Sequence, residues 1–135
     1  MIELSAEVHI KVPFQDVDAM RIVCHGNYFR YFEEARAALL DKISYGYFEM
    51  KDSGYAWPVV DVRTKFIKPL LLQQKIRVVA KLVEYENQLK IAYDIFDAST
   101  GERTTKGTTT QVAIDMATNE MCFASPQVLF DKLGM

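Results

Sequence analysis

The sequence is poor in the residues that would assign a binding or catalytic class by themselves. It has two cysteines and two histidines in 135 residues, and they are scattered along the chain. Cysteines and histidines in such small number and at such distances indicate neither a disulfide scaffold nor a metal site. No cofactor is expected. Basic and acidic residues nearly balance, with a net charge of -2 and no basic stripe, so nucleic acid is not an expected partner.

Long apolar runs are missing as well. None approaches the roughly 20 residues that a membrane-spanning helix needs. Near the start, Glu3, Glu7 and Lys11 interrupt the apolar run that a signal peptide would show. We therefore expect a cytoplasmic protein without a membrane span.

What the chain does contain is enough apolar material for one core. Hydrophobic residues make up 50% of it, and the length suits one domain, which we predict to span residues 1–135. The chain shows no internal repeats, linkers or low-complexity tracts that would divide this domain.

Two periodicities organise the first third of the chain. Residues 2–12 alternate between apolar and polar side chains, which predicts a strand buried on one face and ended by Pro13. From Asn27 to Ile43 the period becomes helical, with Asn27 as the expected N-cap. The apolar arc of this helix is broad, so a sheet must cover most of its circumference. Arg36 falls on the apolar side, where we favour a snorkelling stem or a structural ion pair over a ligand contact.

The second half of the chain is typical of an antiparallel sheet. Residues 44–57, which include Trp57, are expected to form a loop with room for a short helix, and this loop could line a pocket or pack as a cover. Tight turns join the later segments, and a short helix between Ser125 and Gly134 ends the chain. The predicted fold class is α+β, a curved antiparallel sheet of five or six strands wrapped around one long central helix. The predicted strands of this half are residues 57–67, 75–85, 89–95, 103–115 and 121–123.

A carboxylate and a helix start come together in the stretch from Phe14 to Arg36. Asp16 and Asp18 precede the turn at residues 24–27. Free N–H groups and partial positive charge at a helix N-terminus suit a developing oxyanion, and a carboxylate beside them can act as a base or a nucleophile. An Asp before a helix also fits a structural role, accepting backbone N–H groups. Spacing alone leaves both roles open for Asp18, whereas we expect Asp16 to be structural.

Three runs in this stretch match a known family. D-x-D at residues 16–18, I-V-C-H-x-N-Y at 22–28 and F-E-E-A-R at 32–36 together resemble the 4-hydroxybenzoyl-CoA thioesterase-like acyl-CoA thioesterases. The branch associated with the bacterial Tol–Pal cluster is the most similar, since it also has histidine at the position of His25. The strand from Lys106 to Asp115 fits too, so the likeness covers nearly the whole chain. The resemblance implies a hotdog fold, an acyl-CoA substrate, and active sites at the interface of a homodimer or homotetramer.

Carried over position by position, the resemblance makes Asp18 the catalytic carboxylate and the backbone N–H of His25 the group that polarises the thioester carbonyl. The His25 side chain is expected to contact the substrate or Asp18, or to stabilise the turn. One departure is Met20-Arg21, which stands where the family usually has glycine. A Cys24–His25 dyad is disfavoured because sequence neighbours project in different directions. The expected substrate-binding residues are Tyr28, Cys24, Arg21 and Trp57.

Three functions remain open from the sequence. Hydrolysis of an acyl-CoA thioester is the leading hypothesis, and the same chemistry on an acyl-carrier protein is its alternative. A non-catalytic acyl-CoA-binding hotdog protein is the third, suggested by Met20-Arg21. A hydratase is disfavoured, because the chain lacks the H-F-P motif of those relatives. The aromatic residues suit either an aryl or an aliphatic acyl group.

Overall fold

The computed structural model describes residues 2–135. Five strands of the chain form one sheet in which every neighbouring pair is antiparallel. The predicted α+β class with a largely antiparallel sheet is confirmed. In chain order the elements are β1 (Ser5–Lys11), a 3-10 turn (Phe14–Asp16), α1 (Asn27–Asp41), α2 (Tyr47–Asp52), β2 (Tyr55–Ala56), β3 (Val59–Phe66), β4 (Lys75–Glu84), β5 (Leu89–Asp97), β6 (Arg103–Gln111), β7 (Ile114–Asp115), β8 (Glu120–Met121) and α3 (Gln127–Lys132).

The large sheet has the strand order β1-β4-β5-β6-β3, so β1 and β3 are its edges. The inner face of β4 and β5 is apolar at every second residue, which follows from the period-2 alternation of strand side chains. A second sheet of three very short strands, β2-β7-β8, lies at the end of the molecule beside α2. The predicted long strand at residues 103–115 therefore divides between two sheets, at Val112 and Ala113.

The apolar side of α1 packs into the core that this sheet lines. Phe32 stacks on Tyr93 of β5, with ring centroids 4.5 Å apart. Gly107 of β6 permits this contact, since a Cβ there would come within 2.8 Å of the Phe32 ring. Glycine at position 107 therefore lets α1 lie closer to β6 than a residue with a side chain would allow. The buried residues of α1 are Tyr28, Tyr31, Phe32, Ala35, Leu39 and Leu40.

The start of α1 differs from the prediction. Gly26 is the N-cap, already in helical conformation, and Asn27 is the first helical residue. The Asn27 backbone N–H donates to Cys24 O, and its side-chain amide donates to the backbone oxygen of Asp16 at 2.9 Å. The prediction of Asn27 as N-cap is wrong because its side chain holds the preceding loop rather than its own helix.

The segment at 44–57 contains the short helix α2, which the prediction of a loop with room for a short helix allowed, and also the two-residue strand β2, which it did not include. One smaller prediction shifts. The terminal helix α3 begins at Gln127 with Pro126 as its N-cap, one residue later than the sequence signal at Ser125 suggests. Within residues 2–135, no helix is both long enough and apolar enough to cross a membrane.

Candidate active site

Hydrogen bonds of Asp16 connect the loop between β1 and α1 to the first turns of the helix. It is 1% exposed, and its carboxylate accepts hydrogen bonds from the Arg30 guanidinium and, at 2.7 Å, from the Tyr31 hydroxyl. Its backbone oxygen accepts from the Cys24 N–H at 3.0 Å. Burial, and then the neighbouring Asp16 carboxylate, raise the pKa of Tyr31, so the hydroxyl stays a donor. The prediction that Asp16 is structural is confirmed.

Asp18 is exposed two residues further along the loop and closes a tight turn. Its Oδ1 accepts hydrogen bonds from the backbone N–H of Met20 at 2.8 Å and of Ile22 at 3.2 Å. The Asp18 backbone exchanges further bonds with Arg21 and Ile22. Within the described chain Oδ2 has no hydrogen-bond donor. One oxygen therefore orients the carboxylate, and the other is open to a reacting group.

Arg21 occupies the position where the resemblance expects glycine, and it keeps a glycine-like backbone. Its φ is +62°, in the left-handed region that costs a non-glycine residue roughly 1–2 kcal/mol. Its N–H still donates to Asp18 O, and its own oxygen accepts from the Leu72 N–H. The turn around Asp18 is thus formed despite the substitution. The Arg21 side chain is exposed beside it and has no carboxylate partner among residues 2–135.

The first backbone amides before α1 are open. The carbonyls of Cys24 and His25 accept from Asn27 and Tyr28, whereas the N–H groups of His25 and Gly26 bond to no atom of the described chain. A Cβ built on Gly26 would meet nothing within 4 Å, so the space above this turn is empty of protein. Unpaired amides at a helix N-terminus carry partial positive charge and suit an anionic oxygen.

An aromatic wall stands beside these amides. The His25 ring stacks on Phe66 at 4.4 Å between centroids, and Phe66 meets Tyr28 edge to face at 4.8 Å. Tyr28 is buried, its hydroxyl accepts from the Leu70 N–H, and burial raises its pKa. Phe66 is a site residue that the sequence reasoning missed. It lies 41 positions from His25, and its only local signal was its place at the end of a strand.

Of the predicted site residues, Asp18, Arg21, Cys24, His25 and Tyr28 share the region around the start of α1. Cys24 is an exposed free thiol without a hydrogen bond to His25. The structure does not bring Trp57 to this region. Trp57 is buried beside the second half of α1, where its indole N–H donates to the Tyr45 hydroxyl at 3.1 Å. No three His, Cys, Asp or Glu side chains within residues 2–135 form a metal-binding group.

Together these features combine a carboxylate with a free oxygen, unpaired amides and an apolar wall. Such a set is suited to attack on a carbonyl whose oxygen becomes negatively charged, because the amides would stabilise that charge. The arrangement fits acyl transfer.

Comparison with known proteins is consistent with this chemistry. The family model of the thioesterase-like superfamily matches residues 12–130. A Bacillus subtilis protein named "Putative acyl-CoA thioesterase YneP" is 32% identical over 108 residues, which cover 78% of this chain and 77% of that protein.

Solved structures share the fold. The DHNA-CoA thioesterase of Staphylococcus aureus superposes with a TM-score of 0.80 at 27% identity, over 88% of this chain and 80% of that one. The S. aureus protein SAV2348, solved in complex with CoA, has a TM-score of 0.85 at 15% identity, over 99% of this chain and 84% of that one. With the family match covering most of its length, this chain belongs to the thioesterase-like superfamily and is a thioester hydrolase with the hotdog fold.

Proposed function

We propose that this enzyme hydrolyses acyl-CoA thioesters at the start of α1, with Asp18 as base or nucleophile. The observation that carries the assignment is the free Oδ2 of Asp18, whose other oxygen is held by Met20 and Ile22. The amides of His25 and Gly26 would bind the carbonyl oxygen. The CoA thiol needs little help to leave, because a free thiol has a pKa of about 8.5.

Two routes satisfy this geometry. In the first, Oδ2 bonds to the acyl carbon, the carbon–sulfur bond breaks, and CoA leaves as a thiolate that then takes a proton; water next cleaves the mixed anhydride. In the second, Asp18 takes a proton from a water whose oxygen bonds to the acyl carbon; the carbon–sulfur bond then breaks, and the departing CoA thiolate takes up a proton, which leaves the free acid and regenerates the Asp18 carboxylate. A rapid-quench experiment that follows both products tests the covalent route: a burst of free CoA equal to the number of sites, without an equal burst of free acid, requires an acyl-enzyme, whereas simultaneous bursts of both products indicate the base.

The test of the assignment is Asp18→Asn. Its Oδ1 can still accept both turn amides, so the free energy of unfolding should change by less than about 0.5 kcal/mol, while kcat should fall by about 100-fold or more. Asp52→Asn, an exposed carboxylate on α2, is the matched control and should keep full activity. Unchanged turnover in Asp18→Asn would remove Asp18 from the mechanism.

CoA is the proposed carrier of the acyl group. The similar proteins support this, since one is named for acyl-CoA hydrolysis and another was solved with CoA. The exposed Arg21 beside the turn would meet a phosphate-bearing substrate favourably. Comparing kcat/KM for a CoA thioester and the same acyl group on carrier protein tests this choice. A preference for the carrier protein would make the alternative substrate the correct one.

A homodimer joined through β3 is part of the proposal. β3 is an edge strand whose residues are exposed at nearly every position, including Val59, Val60 and Val62. Unpaired, apolar strand edges are normally covered in folded proteins. A second copy pairing along β3 would cover this edge, and a homotetramer would need one further contact.

Sedimentation velocity tests the dimer. Wild type should sediment as a dimer or tetramer, and Val60→Lys should shift it towards the monomer. Val83→Lys, which places the same charge at an equally exposed valine of the internal strand β4, should have no effect. A monomeric wild type at micromolar concentration would contradict the interface.

A cytoplasmic location completes the proposal. Both cysteines, Cys24 and Cys122, are free thiols, which is typical of proteins in a reducing compartment. Cell fractionation with a tagged full-length chain would test it, and recovery in an extracytoplasmic fraction would contradict it.

A further inference from the structure

A second cleft of about 960 Å³ lies beside the second half of α1, on the side of α2 and the start of β3. Its size is in the range of small-molecule sites, which are mostly apolar with a few convergent polar groups. Leu40, Met50 and Trp57 supply apolar surface, and Arg36 and Gln111 supply polar atoms. The loop with Asp18 does not contribute to its walls.

Arg36 is half-buried in this cleft without an acidic partner. No carboxylate of residues 2–135 forms an ion pair with it, so of the two structural roles expected for Arg36 the half-buried position agrees with the snorkelling stem. Its charge instead lies near the Tyr93 hydroxyl, which shares a 2.7 Å hydrogen bond with Thr109 Oγ1. A half-buried guanidinium with no carboxylate within ion-pair distance retains donors for a ligand.

Gln111 presents the complementary group. It is 5% exposed, and its side-chain N–H donates to the Trp57 backbone oxygen at 2.8 Å. That bond sets the orientation of the amide and leaves Oε1 buried with no partner in the described chain. An unsatisfied buried acceptor destabilises the state in which it lacks a donor, so a ligand that donates to it is favoured.

Arg36 and Gln111 both line this cleft. Thr109 and Gln111 are two residues apart on β6, so their side chains share the inner face with a spacing of about 7 Å. A hydroxyl between Arg36 and Gln111 would accept from the guanidinium and donate to Oε1. A carboxylate would satisfy only Arg36 and would face the exposed carboxylates of Glu33 and Asp41 in the same cleft. A hydrocarbon would satisfy neither.

We propose that this cleft binds the distal part of a long acyl chain that carries a hydroxyl group, with Arg36 and Gln111 as its specificity determinants. The inference rests on the proposed function for the reacting end of the chain. Arg36 lies eleven residues after His25, or about 16 Å along a helix, which sets the distance from carbonyl to hydroxyl within one chain. Phe29, 51% exposed, lies on the α1 surface between the two sites.

Binding of free acids tests the cleft without any turnover. We expect calorimetry on the purified enzyme to show 12-hydroxydodecanoate binding at least fivefold more tightly than dodecanoate. Arg36→Met and Gln111→Met should each reduce this ratio to about one. Lys51→Met, which removes an exposed cation of the same cleft, should preserve it. Equal affinity of wild type for the two acids would overturn the proposal and would mean that the polar pair holds only water; this result stands even if either variant fails to fold.

A kinetic readout separates this inference from the proposed function. Wild type should have a higher kcat/KM for 12-hydroxydodecanoyl-CoA than for dodecanoyl-CoA, and Arg36→Met should lose that preference. The same variant should hydrolyse 4-hydroxybenzoyl-CoA as wild type does, because that acyl group is too short to reach Arg36. If wild type hydrolyses both acyl-CoA substrates with equal kcat/KM, the assignment of the cleft is overturned and the proposed function stands. If wild type binds the hydroxylated free acid more tightly but hydrolyses neither acyl-CoA, the proposed function is overturned and the hydroxyl-binding cleft stands.

Discussion

The Tyr31 hydroxyl donates a 2.7 Å hydrogen bond to the buried carboxylate of Asp16, joining the second turn of α1 to the loop that precedes it. The Arg30 guanidinium binds the same carboxylate oxygen from its more exposed side. The Asp18 turn and the open amides of His25 belong to the two segments that this contact connects. The position of the Asp18 carboxylate relative to the amides of His25 and Gly26 therefore depends on the buried hydrogen bond between Tyr31 and Asp16.

Tyr31→Phe tests this connection. Loss of a buried hydrogen bond to a charged group should lower the free energy of unfolding by about 1.5–3 kcal/mol. Urea denaturation of variant and wild type gives the value. Tyr47→Phe is the control, since that ring is exposed and its hydroxyl bonds to no atom of residues 2–135. Equal losses in the two variants would mean that the Asp16 contact contributes nothing specific.

Arg21→Gly should stabilise the protein. The change relieves a left-handed backbone at φ +62°, and the gain, after the larger entropy of glycine in the unfolded chain, should be up to about 1 kcal/mol. Turnover number should be retained, because the Asp18 turn uses only backbone atoms of residue 21. Met20→Gly, at a neighbouring position without positive φ, should give no gain in a parallel thermal-unfolding measurement.

Gly107→Ala should destabilise the fold. The new Cβ would lie 2.8 Å from Phe32 Cζ and 2.8 Å from the Arg63 backbone oxygen, closer than such atoms normally approach. Overpacking of this kind costs about 1–3 kcal/mol, measured by chemical denaturation. Gly26→Ala is the matched control, since its Cβ meets no atom within 4 Å and its φ is negative. A stable Gly107→Ala would show that α1 can move away from the sheet at little cost.

Asp97 predicts a pH dependence of stability. Hydrogen bonds from the Gln74 side chain, and then from the amides of Ser99 and Thr100, lower the pKa of Asp97 below its ordinary 3.8. Because the folded-state pKa is depressed, the stabilisation is complete above the unfolded value and is lost as pH falls through the folded one. Asp97→Asn should therefore destabilise the protein at pH 7 and progressively less below about pH 4.

Urea unfolding across this pH range measures the effect. Glu86→Gln provides the control, because that exposed side chain makes no hydrogen bond or ion pair within the described residues. A difference between Asp97→Asn and wild type that stays constant from pH 7 to pH 3 would contradict the linkage.

Part of the candidate site lies within the stretch from Asp16 to Arg36, where a loop and a helix start are close in space because they are close in sequence. Local spacing predicted two carboxylates before a helix start, and the resemblance, rather than the spacing, distinguished Asp18 from Asp16. The errors came from side chains that bond across elements. Asn27 holds the Asp16 backbone instead of capping its helix. For Arg36 the sequence left a snorkelling stem and an ion pair open, and its position near Tyr93 could not be predicted. The periodicity of a segment predicts which face of a helix or strand is buried, but it does not predict which residues of other segments contact that face.

The sequence by itself determined the period-2 strands, the broad apolar helix and the motif that identifies the family, since each depends on residues within a few turns or strand steps. Only the tertiary structure decided that Phe66 stacks on His25, and that Gln111 and Arg36 line one cleft with an acceptor left unpaired. The physical reason is that sheet register and helix approach set these contacts. Both depend on the packing of the whole core, at contacts such as Phe32 on Gly107, rather than on any one segment.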